Sequence, residues 1–282
     1  MNEGWQTLVQ PDELQPRLGD ACVVVVDCRF SLADTTAGET AYRIAHLPGA
    51  RYAHLDRDLS GTHTPGAGRH PWPRAAVFTA TLGAWGISPD SRVVAYDGGD
   101  GAHAARLWCL LRALGHRKVA VLDGGWQRWI DEARPVDALE PSVVPVVHPS
   151  DFDEASLLDP GQVQAHLDAG GVLIDARAAE RFRGEVEPID PVAGHVPGAM
   201  NRPYALNLEA GRFKAAAELR SEFEALLNGR SPSDVVAMCG SGVTACHHLL
   251  AMAHAGLPGA KLFTGSWSGW IEDPARPIAV DG

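Results

Sequence analysis

The chain has 282 residues, with 24 lysines and arginines against 35 aspartates and glutamates, so its net charge is 24 − 35 = −11. Apolar residues make up 45% and charged residues 21%, as in ordinary globular proteins, which excludes a disordered chain, a collagen and a coiled coil. The acidic balance argues against a nucleic-acid partner, because binding a phosphate backbone requires a concentrated positive surface.

The cysteines and the N-terminus indicate the compartment. The five cysteines form a sparse, odd-numbered set, which favours free thiols in a reducing compartment over a disulfide framework: Cys22, Cys28, Cys109, Cys239 and Cys246. The N-terminus has early acidic residues and lacks the basic and apolar segments of a secretory signal. No apolar run reaches the ~18 residues of a membrane span. A cytoplasmic protein without a membrane partner is therefore expected.

Short valine-rich runs alternate with longer helical stretches along the chain. The predicted strands of the first half are Val23–Asp27, Val93–Tyr96 and Val119–Leu122, with a helix at Ala102–Leu114. Those of the second half are Val172–Asp175, Val235–Met238 and Lys261–Phe263, with helices at Ala216–Leu227 and Val243–Ala255. This alternation predicts an α/β fold with mainly parallel sheets and helices on both faces. Ligands of such sheets bind beyond the carboxyl ends of the strands.

Five short motifs occur twice, in the same order. The pairs are VVVVDCR and VLIDAR, HLPGA and HVPGA, VVAYDGG and VVAMCGS, DGGWQRW and TGSWSGW, and RPV and RPI. Their offsets stay between 141 and 149 residues, which predicts two homologous domains over 1–138 and 152–282. The proline- and serine-rich segment 139–151 between them is predicted to be an extended linker.

The two halves differ at one strand end. Asp97 ends the strand in the first half, whereas Cys239 stands 142 positions later at the same place in the second. Cys239 precedes a glycine-rich loop that opens a predicted helix, and backbone N–H groups in such a loop form a cradle for an anion. The loop is expected to stabilise a thiolate, with hydroxyl donors from Ser241 and Thr244. Cys239 is therefore the predicted nucleophile.

The loop CGSGVTA at 239–245 resembles the active-site loop of the tandem-domain sulfurtransferases, the rhodanese-like family. Within that family it is similar to the 3-mercaptopyruvate type, and the repeated D-x-R, H-x-P-G-A and G-x-W motifs also look like family signatures. The resemblance implies two rhodanese-like domains, of which the N-terminal one is inactive because Asp97 cannot carry a persulfide. The catalytic domain would be the C-terminal one.

The resemblance also implies a mechanism. Cys239 takes a sulfur atom from a small anionic donor as a persulfide, and a thiol acceptor such as thioredoxin or a small thiol, or cyanide, removes it. The persulfide lies in the loop Gly240, Ser241, Gly242, Val243 and Thr244. No metal or other cofactor is required, and a monomer is expected.

Further site residues follow from the resemblance. Ser241 corresponds to a loop hydroxyl that relays a proton together with a histidine and an aspartate from the N-terminal half. Asp56 and His70 match these best, and His63 is a rival for the histidine because the intervening stretch is longer than usual.

Arg181 resembles the arginine that binds the anionic end of the donor. Arg177 is expected to pair with a nearby acid, and Arg183 to be solvated. The family's 3-mercaptopyruvate enzymes carry a second arginine about nine residues after the first, but here Glu187-Pro188 is followed by Ile189 and Asp190. One half of the expected carboxylate clamp is missing.

Two donors and two rival classes stay open at this point. The uncharged loop favours 3-mercaptopyruvate over the dianion thiosulfate, while the missing arginine leaves thiosulfate as the alternative. A cysteine phosphatase is disfavoured, because Ala245 stands where such a loop needs an arginine. A non-catalytic binding module is disfavoured by the intact cysteine loop. The other four cysteines are predicted to be core residues, with a resolving role left open for Cys246.

Overall fold

The computed structural model describes residues 5–281, which form two compact units. The first unit comprises the described residues up to Gly61 together with Pro73–Asp153 and Ala210–Phe213. The second comprises Thr62–Trp72, Glu154–Glu209 and the described residues from Lys214 onward. The units therefore differ from two continuous stretches of chain in two short segments, 62–72 and 210–213.

The first unit is built on a five-stranded sheet. Its strands are β1 (Leu8–Val9), β2 (Val23–Asp27), β3 (Arg51–Tyr52), β4 (Arg92–Tyr96) and β5 (Val119–Leu122). Its helices are α1 (Pro11–Leu14), α2 (Ala37–Ile44), α3 (Leu55–Asp58), α4 (Ala75–Ala84), α5 (Ala102–Ala113) and α6 (Gly125–Asp131), with a 3-10 turn at Gln15–Arg17. The strand order is β1-β5-β4-β2-β3, and every neighbouring pair is parallel.

The second unit repeats this plan. Its sheet contains β6 (Leu157–Leu158), β7 (Val172–Asp175), β8 (Met200–Asn201), β11 (Val235–Met238) and β12 (Lys261–Phe263). Two short strands lie outside both five-stranded sheets, β9 (Leu208–Glu209) in the second unit and β10 (Arg212–Phe213) in the segment 210–213 of the first. The helices are α7 (Pro160–Asp168), α8 (Ala179–Phe182), α9 (Ala216–Leu227), α10 (Ala245–His254) and α11 (Ser266–Trp270), with 3-10 turns at Glu154–Ser156, Tyr204–Asn207 and Pro232–Asp234. The parallel order β6-β12-β11-β7-β8 matches the first sheet strand for strand.

The predicted α/β class is confirmed. The central strands are the ones that the valine-rich runs predicted, because continuous apolar runs are typical of buried parallel strands, and all four residues of β11 are buried. The edge strands β1, β3, β6 and β8 were not predicted, since each has only two residues and shows no periodicity.

The repeated Asp-x-Arg motif forms the same buried ion pair in both units. The Asp27 carboxylate accepts from the Arg29 guanidinium, and the equivalent Asp175 carboxylate accepts from Arg177, at distances down to 2.6 and 2.7 Å. The Arg177 guanidinium also lies 4.8 Å from the ring centre of Trp267. These buried ion pairs fix the loops that follow β2 and β7, and the structural role expected of Arg177 is confirmed.

Two expectations differ from the structure. Cys22 is exposed rather than part of the core, because it precedes β2 at the surface, while Cys28 and Cys109 are buried. No disulfide joins any of the five cysteines, all of which lie in the described part of the chain. The predicted linker 139–151 runs along the first unit, where the Val146 N–H donates to the Gly83 carbonyl at 3.0 Å. Of the residues that the structure describes, none belongs to a helix long and apolar enough to cross a membrane.

Candidate active site

Cys239 directly follows β11 and is 2% exposed. Its loop is held by the first turn of α11, since the Trp267 N–H donates to the Cys239 carbonyl at 3.0 Å and the Ser268 N–H donates to the Gly240 carbonyl at 2.8 Å. The Cys239 N–H donates to Ser266 Oγ at 3.0 Å. Every strand of this sheet is parallel, so the loop lies at the carboxyl edge where ligands bind.

The loop presents several N–H donors around the thiol. The Gly242 N–H donates to Cys239 Sγ at 3.2 Å, and Gly242 has a φ of +76°, which a side chain would strain. The N–H groups of Ser241, Val243 and Ala245 have no acceptor among the hydrogen bonds of the described chain. Since Ala245 opens the ten-residue helix α10, these donors meet the positive end of a helix dipole. The loop can therefore hold a negative charge on or beside the sulfur.

His70 lies at this loop. Its Nδ1 shares a hydrogen bond of 2.7 Å with Ser241 Oγ, and both side chains are buried. His63 lies elsewhere in the second unit, where its exposed ring pairs with Glu272 at 3.0 Å. The geometry brings His70 rather than His63 to Ser241. Asp56 is an exposed residue of α3 in the first unit, and its place in the relay stays a prediction.

Two arginines face the loop beside Cys239. A Cβ placed on Gly240 would lie 3.4 Å from Arg69 Nη2 and 3.6 Å from Arg181 Nη2. Asp190 bridges them, accepting from Arg69 Nη1 at 2.5 Å and from Arg181 Nη2 at 3.1 Å. Arg181 was predicted for the donor site, whereas Arg69 was not, although it directly precedes His70 in the sequence.

Glu187 orients Arg181. Its carboxylate accepts from Arg181 Nε at 3.1 Å and from Nη2 at 2.7 Å, and also from the backbone N–H groups of Ile189 and Asp190. Burial alone would raise the pKa of Glu187, but the hydrogen bonds from Arg181, Asp190 and Ile189 hold that pKa below its usual value. Glu187 is thus an ionised anchor for Arg181.

Within the second unit, the segment 62–72 is held against α11 and the residues beside it. Glu272 accepts from the N–H groups of Gly66 at 2.7 Å and Gly68 at 3.2 Å, and Ser268 Oγ accepts from the Arg69 N–H at 3.0 Å. A Cβ on Gly265 would come within 2.1 Å of the Gly66 carbonyl oxygen, so the two backbones pack at a distance that only glycine permits. These contacts place Arg69 and His70 at the loop.

The remaining candidates lie outside this arrangement. Arg183 is exposed and pairs with Glu185, as expected of a solvated residue. The Cys246 thiol donates to the Gly242 carbonyl at 3.3 Å from inside α10. His247 and His248 are buried beside Asn207, which donates to both rings. Within residues 5–281, no three His, Cys, Asp or Glu side chains are grouped so as to hold a metal ion.

Comparison with known proteins identifies the family. The model of the rhodanese-like domain matches the chain twice, over residues 10–132 and 159–273. The chain therefore belongs to the rhodanese-like family, as the repeat and the cysteine loop predicted.

Relatives in this family have sulfurtransferase names. The chain is 48% identical to a Pseudomonas aeruginosa protein named "probable 3-mercaptopyruvate sulfurtransferase", over 97% of this chain and 98% of that one. It is 33% identical to the thiosulfate sulfurtransferase of Bos taurus, over 88% and 84% of the two chains. The solved structure of 3-mercaptopyruvate sulfurtransferase from Leishmania major matches with a TM-score of 0.80 at 31% identity, covering 93% of this chain and 73% of that one.

Proposed function

We propose that this protein is a sulfurtransferase that moves sulfur from 3-mercaptopyruvate onto Cys239 and from there to a thiol or to cyanide. The observation that carries the proposal is the Cys239 loop, in which one N–H donates to the thiol and neighbouring N–H groups of Ser241, Val243 and Ala245 have no acceptor. A persulfide places a second, negatively charged sulfur where such donors can bind it.

The first half-reaction loads the cysteine. The Cys239 thiolate attacks the donor sulfur, an S–S bond forms, and the donor C–S bond breaks with its electron pair staying on carbon. The thiol proton of the donor ends on that carbon, so the products are pyruvate and the persulfide anion. Ser241 and His70, joined at 2.7 Å, provide a route for this proton, and we assign Asp56 as the carboxylate that orients the histidine.

The second half-reaction unloads the cysteine. A thiolate acceptor attacks the outer sulfur, the S–S bond breaks, and the Cys239 thiolate leaves. Thioredoxin or a small thiol suits this step in a reducing cytoplasm, and cyanide gives thiocyanate in the laboratory. Neither step requires a cofactor, because the cysteine carries the sulfur throughout. The relay also suggests that one copy of the chain, a monomer, contains all the groups required.

Charge at the site favours the carboxylate donor over thiosulfate. The loop from Gly240 to Thr244 is uncharged, and the two arginines beside it are balanced by Glu187 and Asp190. A cluster of zero net charge suits a monoanion better than a dianion, because the second charge would find no further cation. The named relatives support both donors, so thiosulfate is the second candidate.

The deciding experiment compares the two donors with cyanide as the common acceptor. We expect a higher kcat/KM for 3-mercaptopyruvate than for thiosulfate, and mass spectrometry of the loaded protein should show one extra sulfur atom on Cys239. The Cys239→Ser variant should transfer no sulfur, while Cys246→Ser should retain activity. A preference for thiosulfate would overturn the donor, and turnover by Cys239→Ser would overturn the nucleophile.

A further inference from the structure

The second unit supplies a cation that the motif pattern leaves out. Ile189 stands where the family's second arginine is expected, yet the Arg69 guanidinium lies beside Gly240 together with that of Arg181. Arg69 comes from the segment 62–72, more than a hundred residues earlier in the chain. The Asp190 carboxylate, one residue after Ile189, forms an ion pair with Arg69, so this segment holds a cation at the loop instead of supplying one.

One edge of the Arg69 guanidinium is unpaired. Its Nη1 donates to Asp190, whereas its Nε is buried without a partner and its Nη2 has no acceptor among the residues described here. Nε and Nη2 form the edge that grips a carboxylate through two parallel hydrogen bonds. A buried donor without an acceptor costs free energy, which an incoming carboxylate oxygen would recover.

We propose that Arg69 is a specificity-determining residue that binds the carboxylate of the donor together with Arg181. This assignment rests on the proposed function, since it concerns the donor of the same cysteine. Nitrogens of both guanidinium groups lie within 3.7 Å of the position that a Cβ on Gly240 would take. One small anion beside Gly240 can therefore contact both arginines and the thiol loop. Asp190 holds the two cations together, and Glu187 fixes the orientation of Arg181.

Steady-state kinetics of Arg69→Gln test this proposal. Losing one charged hydrogen-bonding edge should raise the KM for 3-mercaptopyruvate about tenfold and change kcat less than twofold, because the contact lies away from the reacting sulfur. The inhibition constant of pyruvate, a carboxylate probe that carries no sulfur, should rise by a similar factor. Arg69→Lys retains the charge without the two-pronged edge and should give an intermediate KM.

Controls separate this proposal from a general defect. Arg183→Gln removes an exposed arginine of the same unit and should leave KM and the pyruvate constant unchanged. Transfer to cyanide from a preloaded persulfide should be unchanged in Arg69→Gln, because no donor is then present. An active wild type with unchanged KM and pyruvate inhibition in Arg69→Gln would overturn the role of Arg69 alone. If the wild type uses no donor, the proposed function fails instead.

Discussion

The loops after β4 and β11 have the same backbone arrangement but carry different side chains at the strand end, Asp97 in the first unit and Cys239 in the second. In the first unit the Asp97 carboxylate accepts four backbone N–H bonds, from Gly99, Gly101, His103 and Ala104, at 2.9 to 3.0 Å. In the second unit Cys239 stands at the equivalent position, and within the part of the chain that the structure describes its shorter side chain accepts only from the Gly242 N–H. The first cradle is therefore filled by its own chain, and the second retains donors for a ligand.

The backbone hydrogen bonds and φ angles around the two loops match in detail. The Trp126 N–H donates to the Asp97 carbonyl at 2.8 Å, as the Trp267 N–H donates to the Cys239 carbonyl at 3.0 Å. Gly125 and Ser266 occupy equivalent positions with φ of +52° and +49°. The comparison shows that one side chain decides whether this loop is a stable turn or a reactive site. Burial raises the pKa of the Asp97 carboxyl, with the charge of Asp100 adding to it and the N–H groups of Ala104 and Gly99 opposing it.

We expect the largest effect from removing the Asp97 carboxylate, which accepts the N–H groups of the loop after β4. Asp97→Ala removes the acceptor of four N–H groups, two of them buried and two partly buried, each worth about 1 kcal/mol, so the free energy of unfolding should fall by about 4 kcal/mol. Urea unfolding measures the loss, and hydrogen exchange should place it in α5. Sulfur transfer by the folded variant should be unchanged.

A matched change is Asp34→Ala, which removes an exposed carboxylate that accepts from the Thr36 N–H in the same unit. Its cost should stay below about 1 kcal/mol, because water replaces the lost acceptor. A similarly small loss in Asp97→Ala would show that the two cradles do not differ in the way described.

The second effect concerns the hydroxyl that the first loop lacks, since Gly99 stands at the position equivalent to Ser241. Ser241→Ala should lower kcat with 3-mercaptopyruvate about a hundredfold, the usual contribution of a positioned proton-transfer group. Stopped-flow measurement of persulfide formation separates this step from unloading, which should be unaffected. Equal slowing of both half-reactions would argue against a proton relay.

The smallest effect concerns the pH dependence of stability. In the helices that follow the two loops, buried Arg106 of α5 corresponds to buried His248 of α10. Burial lowers the pKa of His248 from 6.5 to about 3. The unfolded chain therefore takes up a proton below pH 6.5 that the folded protein excludes. The resulting stability is complete above pH 6.5 and is lost as the pH falls toward 3, by about 1.4 kcal/mol per pH unit.

His248→Gln should remove this contribution from the pH dependence of unfolding, measured in urea between pH 7.5 and about 5.5. His254→Gln, a half-buried position on the same helix, should retain the wild-type slope. His116 and His148, whose pKa values burial also lowers, contribute equally in all three proteins and cancel in the comparison. An unchanged slope in His248→Gln would show that this ring does not exclude the proton.

The central strands and the nucleophile were predictable because their signals are local. Buried parallel strands appear as continuous apolar runs, and the strand-loop-helix context of Cys239 lies within a dozen residues. The repeat strengthened the prediction of the strands and of the nucleophile, since the equivalence of Asp97 and Cys239 is visible only when the two halves are aligned. The two-residue edge strands carry too little pattern to be read in this way.

Arg69 was not predicted because its role depends on pairing across more than a hundred residues. The segment Ile189-Asp190 looked like the loss of a cation when only its own neighbourhood was considered. The structure shows that this carboxylate holds an arginine from another part of the chain. A single sequence contains no local sign of such a pairing, although the adjacency of Arg69 to His70 was visible.

The path of segment 62–72 has a consequence for modularity. The second unit includes eleven residues encoded before most of the first unit, and two of them, Arg69 and His70, face the cysteine loop. A gene fragment that begins at the second motif repeat would specify the sheet and the nucleophile without these partners. The unit that carries Cys239 is therefore not encoded by one continuous stretch of the gene, and expressing residues 152–282 alone would leave out the arginine and the histidine at its reactive loop.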